Sequence, residues 1–245
     1  MTALEALATD RDELLRICRT LPDAAWRAPT GCAGWTVKDL VAHLGGLFWL
    51  VVDPTALPSV EGLGTEAAQE VIVEDRRAWS VTEVLDDYAS VSATGLDHLR
   101  SLADVDVEVA LGDLGTYPAS ALPKAYAFDH FTHLRADLFA PSGPLDGPPP
   151  ATDDGRVDAA IDWIDLAVSQ QNPDAIDALP GSVELVVEDM SRVVTIGTGP
   201  VVATVRADAF SLVLCVTQRA RWEERLAVAT GDPNALAIVR HLHVF

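Results

Sequence analysis

From Pro141 to Pro150 the chain reads Pro-Ser-Gly-Pro-Leu-Asp-Gly-Pro-Pro-Pro, and Thr152-Asp-Asp-Gly155 follows shortly after. Proline lacks the donor that a helix or an inner strand needs, and glycine lacks the steric constraint that holds either one, so no regular element crosses this stretch. The 245 residues therefore divide into domains at 1-140 and 156-245, joined by a Pro/Gly-rich linker at 141-155 that is expected to be the first site of proteolytic cleavage. Charge divides the same way. Residues 1-150 carry 10 basic and 23 acidic side chains, whereas residues 191-245 carry 6 basic and 4 acidic.

Ahead of the linker, apolar residues recur at helical spacing in four segments. Leu4, Leu7, Leu14, Cys18 and Leu21 form the first stripe, and Leu40, Val41, Leu44, Leu47, Phe48 and Val51 the second. Val81, Val84, Leu85, Tyr88, Val91, Leu96 and Leu99 form a third, and a fourth helix is predicted to open near Pro118 and run to about Ala140. Thr36, with Asp39 three residues later, reads as a capping box that starts the second helix. Four amphipathic helices without a strand signal predict an all-α four-helix bundle.

Behind the linker the pattern changes. Val157 to Val168 reads as a helix, while Val183 to Val187, Val193 to Ile196 and Val201 to Val205 are short β-branched runs separated by turn residues, which predicts a hairpin or meander. Helices are expected again from Ala207 to about Arg219 and from Asn234 to Leu242, so the second domain is a small α+β layer structure.

A net charge of -20 repels polyanions, which argues against nucleic acid and anionic membrane surfaces as partners. The longest apolar run, Leu44 to Val52, is about half the ~20 residues a spanning helix needs. The acidic start Met1-Thr-Ala-Leu-Glu5 lacks the basic region of a signal peptide, and the three cysteines, Cys18, Cys32 and Cys215, have no paired spacing. The expected location is cytoplasmic, with reduced thiols. Cys32 reads as a half-buried, inert thiol. The oligomeric state is left open.

On the fourth helix Leu122, Tyr126, Asp129, His133 and Ala136 lie along one stripe, which turns a carboxylate and an imidazole inward one helical turn apart. His43 projects at the edge of the second helix's apolar face. Two ligands one turn apart and a third from a facing helix can build a zinc site, with three protein ligands leaving an open coordination position of the catalytic kind. A hydrogen-bonded structural Asp-His pair, with His43 in the core, satisfies the same spacing.

Trp26-Arg-Ala-Pro-Thr30 and Gly34-Trp-Thr-Val-Lys-Asp-Leu-Val-Ala-His-Leu44 resemble the N-terminal metal-binding domain of the mycothiol-dependent maleylpyruvate isomerase family, a branch of the DinB-like four-helix bundles. The family's Gly-Trp-Thr-Val, acidic residue and His-Leu pair are matched by Gly34 to Val37, Asp39 and His43-Leu44. Its acidic residue four before a histidine on the last bundle helix is matched by Asp129 and His133. The resemblance implies that His43, Asp129 and His133 bind a divalent metal, usually zinc, that mycothiol is the cofactor, and that the C-terminal domain is similar to sterol carrier proteins. The family commonly has Glu where this chain has Asp129, which is one methylene shorter. Asp129 could therefore orient His133 instead of binding metal, and His130 then becomes the alternative ligand. Arg219 falls about where the family's second domain has basic residues that could face the metal cleft, and so becomes a tentative contact to substrate or cofactor.

By this resemblance the chain is a metal-dependent, mycothiol-using enzyme in which zinc activates the thiol toward an electrophilic small molecule. It would act as a cis-trans isomerase or, if elimination does not follow addition, as an S-transferase. A catalytically inactive metal-binding or regulatory module of the same fold is the alternative. Maleylpyruvate is a dianion that a chain at -20 repels unless cations line the cleft, and Arg76, Arg77 and the C-terminal arginines are the ones on offer.

Overall fold

The computed structural model describes residues 1–225 and 228–245. The N-terminal part contains α1 (Ala3–Cys18), α2 (Asp23–Trp26), α3 (Val37–Val52), α4 (Thr65–Arg76) and α5 (Val81–Ser101). After these come a pair of short strands, β1 (Glu108–Ala110) and β2 (Thr116–Pro118), and then α6 (Leu122–Thr132), which continues as a single wider π turn over His133–Asp137. The start of α1, α3 and α5 is fixed by reciprocal capping boxes, Thr2 with Glu5, Thr36 with Asp39 and Ser80 with Glu83. Each box satisfies donors that a helix end otherwise leaves unpaired. Leu7 and Leu14 of α1, Leu40, Leu44 and Phe48 of α3, Val84, Tyr88 and Leu99 of α5, and Leu122 and Tyr126 of α6 meet in one buried core. A Cβ on Gly95 would come within 2.3 Å of Phe48 Cδ1, so the close approach of α3 and α5 depends on that glycine.

Three features depart from the sequence expectation. The N-terminal part is not purely helical, because β1 and β2 pair antiparallel; at three residues each they are too short to carry a readable alternation. Helix α4 was not among the expected helices. Its buried stripe of Ala68, Ile72, Val73 and Arg76 includes an arginine, and Gly64 at its N-cap offers no side chain. Pro118 closes β2, and it is Pro123 that occupies the first turn of α6.

The C-terminal part holds α7 (Asp154–Gln171), α8 (Pro173–Asp177), β3 (Ser182–Val187), β4 (Arg192–Ile196), β5 (Val201–Ala207), α9 (Ala209–Val216), α10 (Trp222–Arg225), β6 (Val228–Gly231) and α11 (Pro233–Val239). Its strands form one sheet in the order β4-β3-β5-β6. The expected hairpin is β3-β4, but β5 does not extend it as a meander: it crosses to the far side of β3 and pairs with it in parallel. Val183, Leu185, Val194, Ile196, Ala203 and Val205 of the sheet pack against Ile161 and Ile164 of α7, Leu212 and Val216 of α9, and Val239 of α11 in a second core.

The two cores meet across α6 and α7. Tyr126 and Ala127 of α6 point into the first, Phe128 and Phe131 into the second, and Ala159 of α7 crosses back to the first. The Pro/Gly segment between these helices is tied down: Leu145 N–H donates to the Leu138 carbonyl, and the Ala151 carbonyl accepts from Arg135. No described helix is long and apolar enough to cross a membrane.

Candidate metal centre

The capping box at Thr36 and Asp39 sets where α3 begins, and two turns in His43 is buried on the face that carries Leu40 and Leu44, with its ring toward Asp129 of α6. Its Nδ1 lies 3.1 Å from Oε1 of Gln69 on α4. An amide oxygen only accepts, so Nδ1 carries the proton and the lone pair is on Nε2. That Nε2 is buried with no hydrogen-bond partner and sits 3.6 Å from Asp129 Oδ1.

His133 is built the same way. Its Nδ1 is 2.7 Å from Oδ2 of Asp137, one turn further on, and its Nε2 is 3.3 Å from Asp129 Oδ1. Asp129 is a quarter exposed (24%), and its Oδ2 is buried without a partner. One ligand atom from each of His43, Asp129 and His133 falls within 4.8 Å of the others. The structure thus brings together the three residues expected from the sequence, two imidazoles and a carboxylate aimed at one point.

His130 goes elsewhere. Its Nδ1 is 3.0 Å from the Tyr126 carbonyl, its Nε2 is 3.1 Å from the Tyr88 hydroxyl, and its ring packs on Phe48 in the first core. Burial pushes its pKa down to about 4, so the ring stays neutral. Both nitrogens are in use, and the structure does not bring His130 to the His43-Asp129-His133 group.

Arg219 reaches the site through an intermediary. From the loop after α9 it grips Asp137 with Nε (2.9 and 3.0 Å) and Nη2 (2.6 Å), while Nη1 is 3.3 Å from the Thr217 carbonyl. An arginine of the C-terminal part thereby fixes the carboxylate that orients His133.

Three neighbours were not singled out as site residues from sequence. Asp137 lies on the π turn, whose widened backbone bond runs from Leu138 N–H to the His133 carbonyl; such turns recur at functional sites. Its spacing of four from His133 was the available signal. Gln69 lies on the unexpected α4 and left no signal. Cys32 is half-buried as expected, but its Sγ stands 3.5 Å from His133 Nδ1, and with His133 and Asp137 it forms a second group of ligand-type atoms within 4.8 Å. The loop carrying it lies directly on the π turn: Gly31 N–H donates to the Asp137 carbonyl at 2.9 Å, and a Cβ there would meet Asp137 Oδ1 at 2.6 Å. The Trp35 indole lies 4.9 Å from the His43 ring, and its Nε1–H donates to Glu70 at 2.7 Å.

The charges are strongly coupled. Burial alone would raise Asp129, but His133 and His43 outweigh it and hold the carboxyl well below the usual range. Burial would likewise lower His133, but Asp129, Cys32 and Asp137 drive it well above an ordinary imidazole. Burial raises Asp137, and His133 and Arg219 more than reverse the effect. A group that pulls a proton onto His133 this firmly is one into which a cation can place its own positive charge instead.

A family described as "Mycothiol maleylpyruvate isomerase N-terminal domain" matches residues 7–139. Two solved structures share the fold: the crystal structure of a mycothiol-dependent maleylpyruvate isomerase and that of a histidine-to-alanine mutant. Each has a TM-score of 0.62 and 14% identity over 94% of this chain and 92% of the other. None of the curated proteins matches.

Proposed function

Because the chain belongs to the mycothiol maleylpyruvate isomerase N-terminal domain family, we propose that it is a metal-dependent, mycothiol-using enzyme acting on an electrophilic small molecule, as a cis-trans isomerase or an S-transferase. His43, Asp129 and His133 would hold the metal, zinc by the chemistry of two imidazoles and a carboxylate. When bound, zinc would supply a positive centre that keeps a thiol sulfur as thiolate at neutral pH. The observation that carries this reading is the convergence of His43 Nε2 and His133 Nε2 on Asp129 Oδ1, with His43 Nε2 and Asp129 Oδ2 buried and partnerless.

The surrounding residues support it. Gln69 and Asp137 each engage an Nδ1, which fixes both imidazoles in the tautomer that presents Nε2. Arg219 neutralises Asp137 and holds it in place. We take residues 1-140 as a DinB-like four-helix-bundle domain, 141-155 as the linker and 156-245 as a domain similar to sterol carrier proteins.

The test is elemental analysis of protein purified without added metal, followed by chelator competition and mycothiol-dependent turnover. About one zinc per chain is expected, with occupancy largely lost in His43→Ala. Asp129→Glu is expected to keep metal and Asp129→Asn to lose it, because the site needs a negative ligand more than a given side-chain length. Near-wild-type affinity in Asp129→Asn would remove Asp129 from the coordination sphere. Zinc without turnover on any electrophile would favour the inactive metal-binding module.

A further inference from the structure

From the charges and the aromatic wall around this site, we infer that its electrophile is an uncharged, conjugated molecule, and that Trp35 and Glu70 select it against dicarboxylates. The inference rests on the proposed function and adds the substrate class. Among the described residues, Arg219 is the cation hydrogen-bonded to the site's side chains, and its Nε and Nη2 are both spent on Asp137. Arg77, on the Trp35 side, is shared by three carboxylates: Glu70 at 2.7 Å, Glu74 at 2.5 Å and Asp39 at 3.8 Å. Arg76 is buried, bonded to Asp75 and the Ile72 carbonyl. Lys38 turns away to the carbonyls of Arg77 and Trp79. Each of these four is engaged by acceptors of the protein itself, Arg221 and Arg240 near Arg219 pair with Glu224 and Glu223, and the chain as a whole carries -20.

What the site offers instead is a surface for a flat apolar group. Trp35 is half-buried against His43, and Glu70 pins its Nε1–H while remaining exposed itself. The same glutamate thus fixes the aromatic wall, and with Glu74 and Asp39 it outnumbers the one guanidinium they share, so the charge beside the wall is net negative. A dianion approaching the wall meets repulsion, whereas a neutral enone or enediester meets a stackable face.

Diethyl maleate and maleate undergo the same thiol-catalysed isomerisation and differ in charge. The thiolate sulfur bonds to one alkene carbon and the π pair moves to its neighbour. Rotation and return of that pair expel the same thiolate and leave the trans alkene, with no net change in atoms. The experiment measures kcat/KM of the zinc-loaded protein with mycothiol for both compounds, each divided by its uncatalysed rate with the same thiol. The diester is expected to lead by at least about tenfold. The ratio is expected to narrow in Glu70→Gln and at high ionic strength, because both reduce the repulsion; a purely structural role for Glu70 would lower both rates and leave the ratio unmoved. Trp35→Ala is expected to depress the diester more than maleate. Maleate turned over as well as the diester, or a ratio unchanged in Glu70→Gln, overturns the inference and leaves the proposed function standing. Zinc-loaded protein that accelerates neither compound overturns both.

Discussion

Asp10→Ala should destabilise the protein by about 3 kcal/mol. Asp10 is 1% exposed and accepts from Arg135 Nη1 and Nη2 at 2.8 Å each and from Arg156 Nη1 at 3.1 Å. The Arg135 side chain is fully buried, so removing Asp10 strands a guanidinium that cannot shed its proton; breaking such a pair costs roughly 3–5 kcal/mol. Arg135 keeps the carbonyls of Phe131 and Ala151 and its stacking on the Phe131 ring, which places the cost at the lower end. For a chain of this size ~3 kcal/mol corresponds to a fall in Tm of about 6–12 °C. Thermal and urea unfolding followed by circular dichroism measure it. Asp10→Leu combined with Arg135→Met removes both charges, and should cost less than Asp10→Ala alone despite deleting more hydrogen bonds. A loss below about 1 kcal/mol for Asp10→Ala, or a double variant worse than either single one, would refute the reasoning. Because Arg135 lies on the π turn between His133 and Asp137, this pair also ties the turn that carries His133 to α1.

If the proposed site holds zinc, Asp137→Asn and Arg219→Met should each weaken its binding by ~10–100-fold in chelator competition with little loss of secondary structure, because each would act through the orientation of His133; unchanged affinity in both would disprove that chain of contacts. Cys18 and Cys215, buried and pushed up to about 12 and about 11 by desolvation, should resist iodoacetamide at pH 8 in the native protein, with mass spectrometry locating the label on half-buried Cys32. His130, at about 4 when folded against roughly 6.5 unfolded, gives the unfolded chain the proton first as pH falls. Its contribution is therefore present above about pH 6.5, is lost between about 6.5 and 4, and totals ~3 kcal/mol; the drop in urea stability across that window should be smaller in His130→Gln by a similar amount.

Periodicity and capping chemistry made the long helices readable, because both act within a turn or two of chain: Thr36 with Asp39 marks the start of α3, and the apolar stripe through Leu40, Leu44 and Phe48 marks its buried face. The spacing of Asp129 and His133 was equally local, and the pairing of His43 with them came from motif order. The runs that became β3, β4 and β5 were legible for the same reason, since each is a short stretch rich in β-branched residues bounded by turn residues. What sequence could not decide were the relations between segments distant along the chain. The parallel pairing of β5 with β3 depends on which edge of β3 is free once β4 is in place. The difference between His130 and His133 is a matter of which helix packs on each side of α6: Tyr88 of α5 claims the first, while the loop at Gly31 and Cys32 and the arginine at 219 close around the second. Gln69 entered through α4, whose apolar stripe is broken by Arg76, and Asp137 through a π turn that no local pattern announces. Side-chain chemistry near in sequence named the candidate ligands; the groups that engage their Nδ1 atoms, Gln69 from α4 and Asp137 from the π turn with Arg219 behind it, were left for tertiary packing to place.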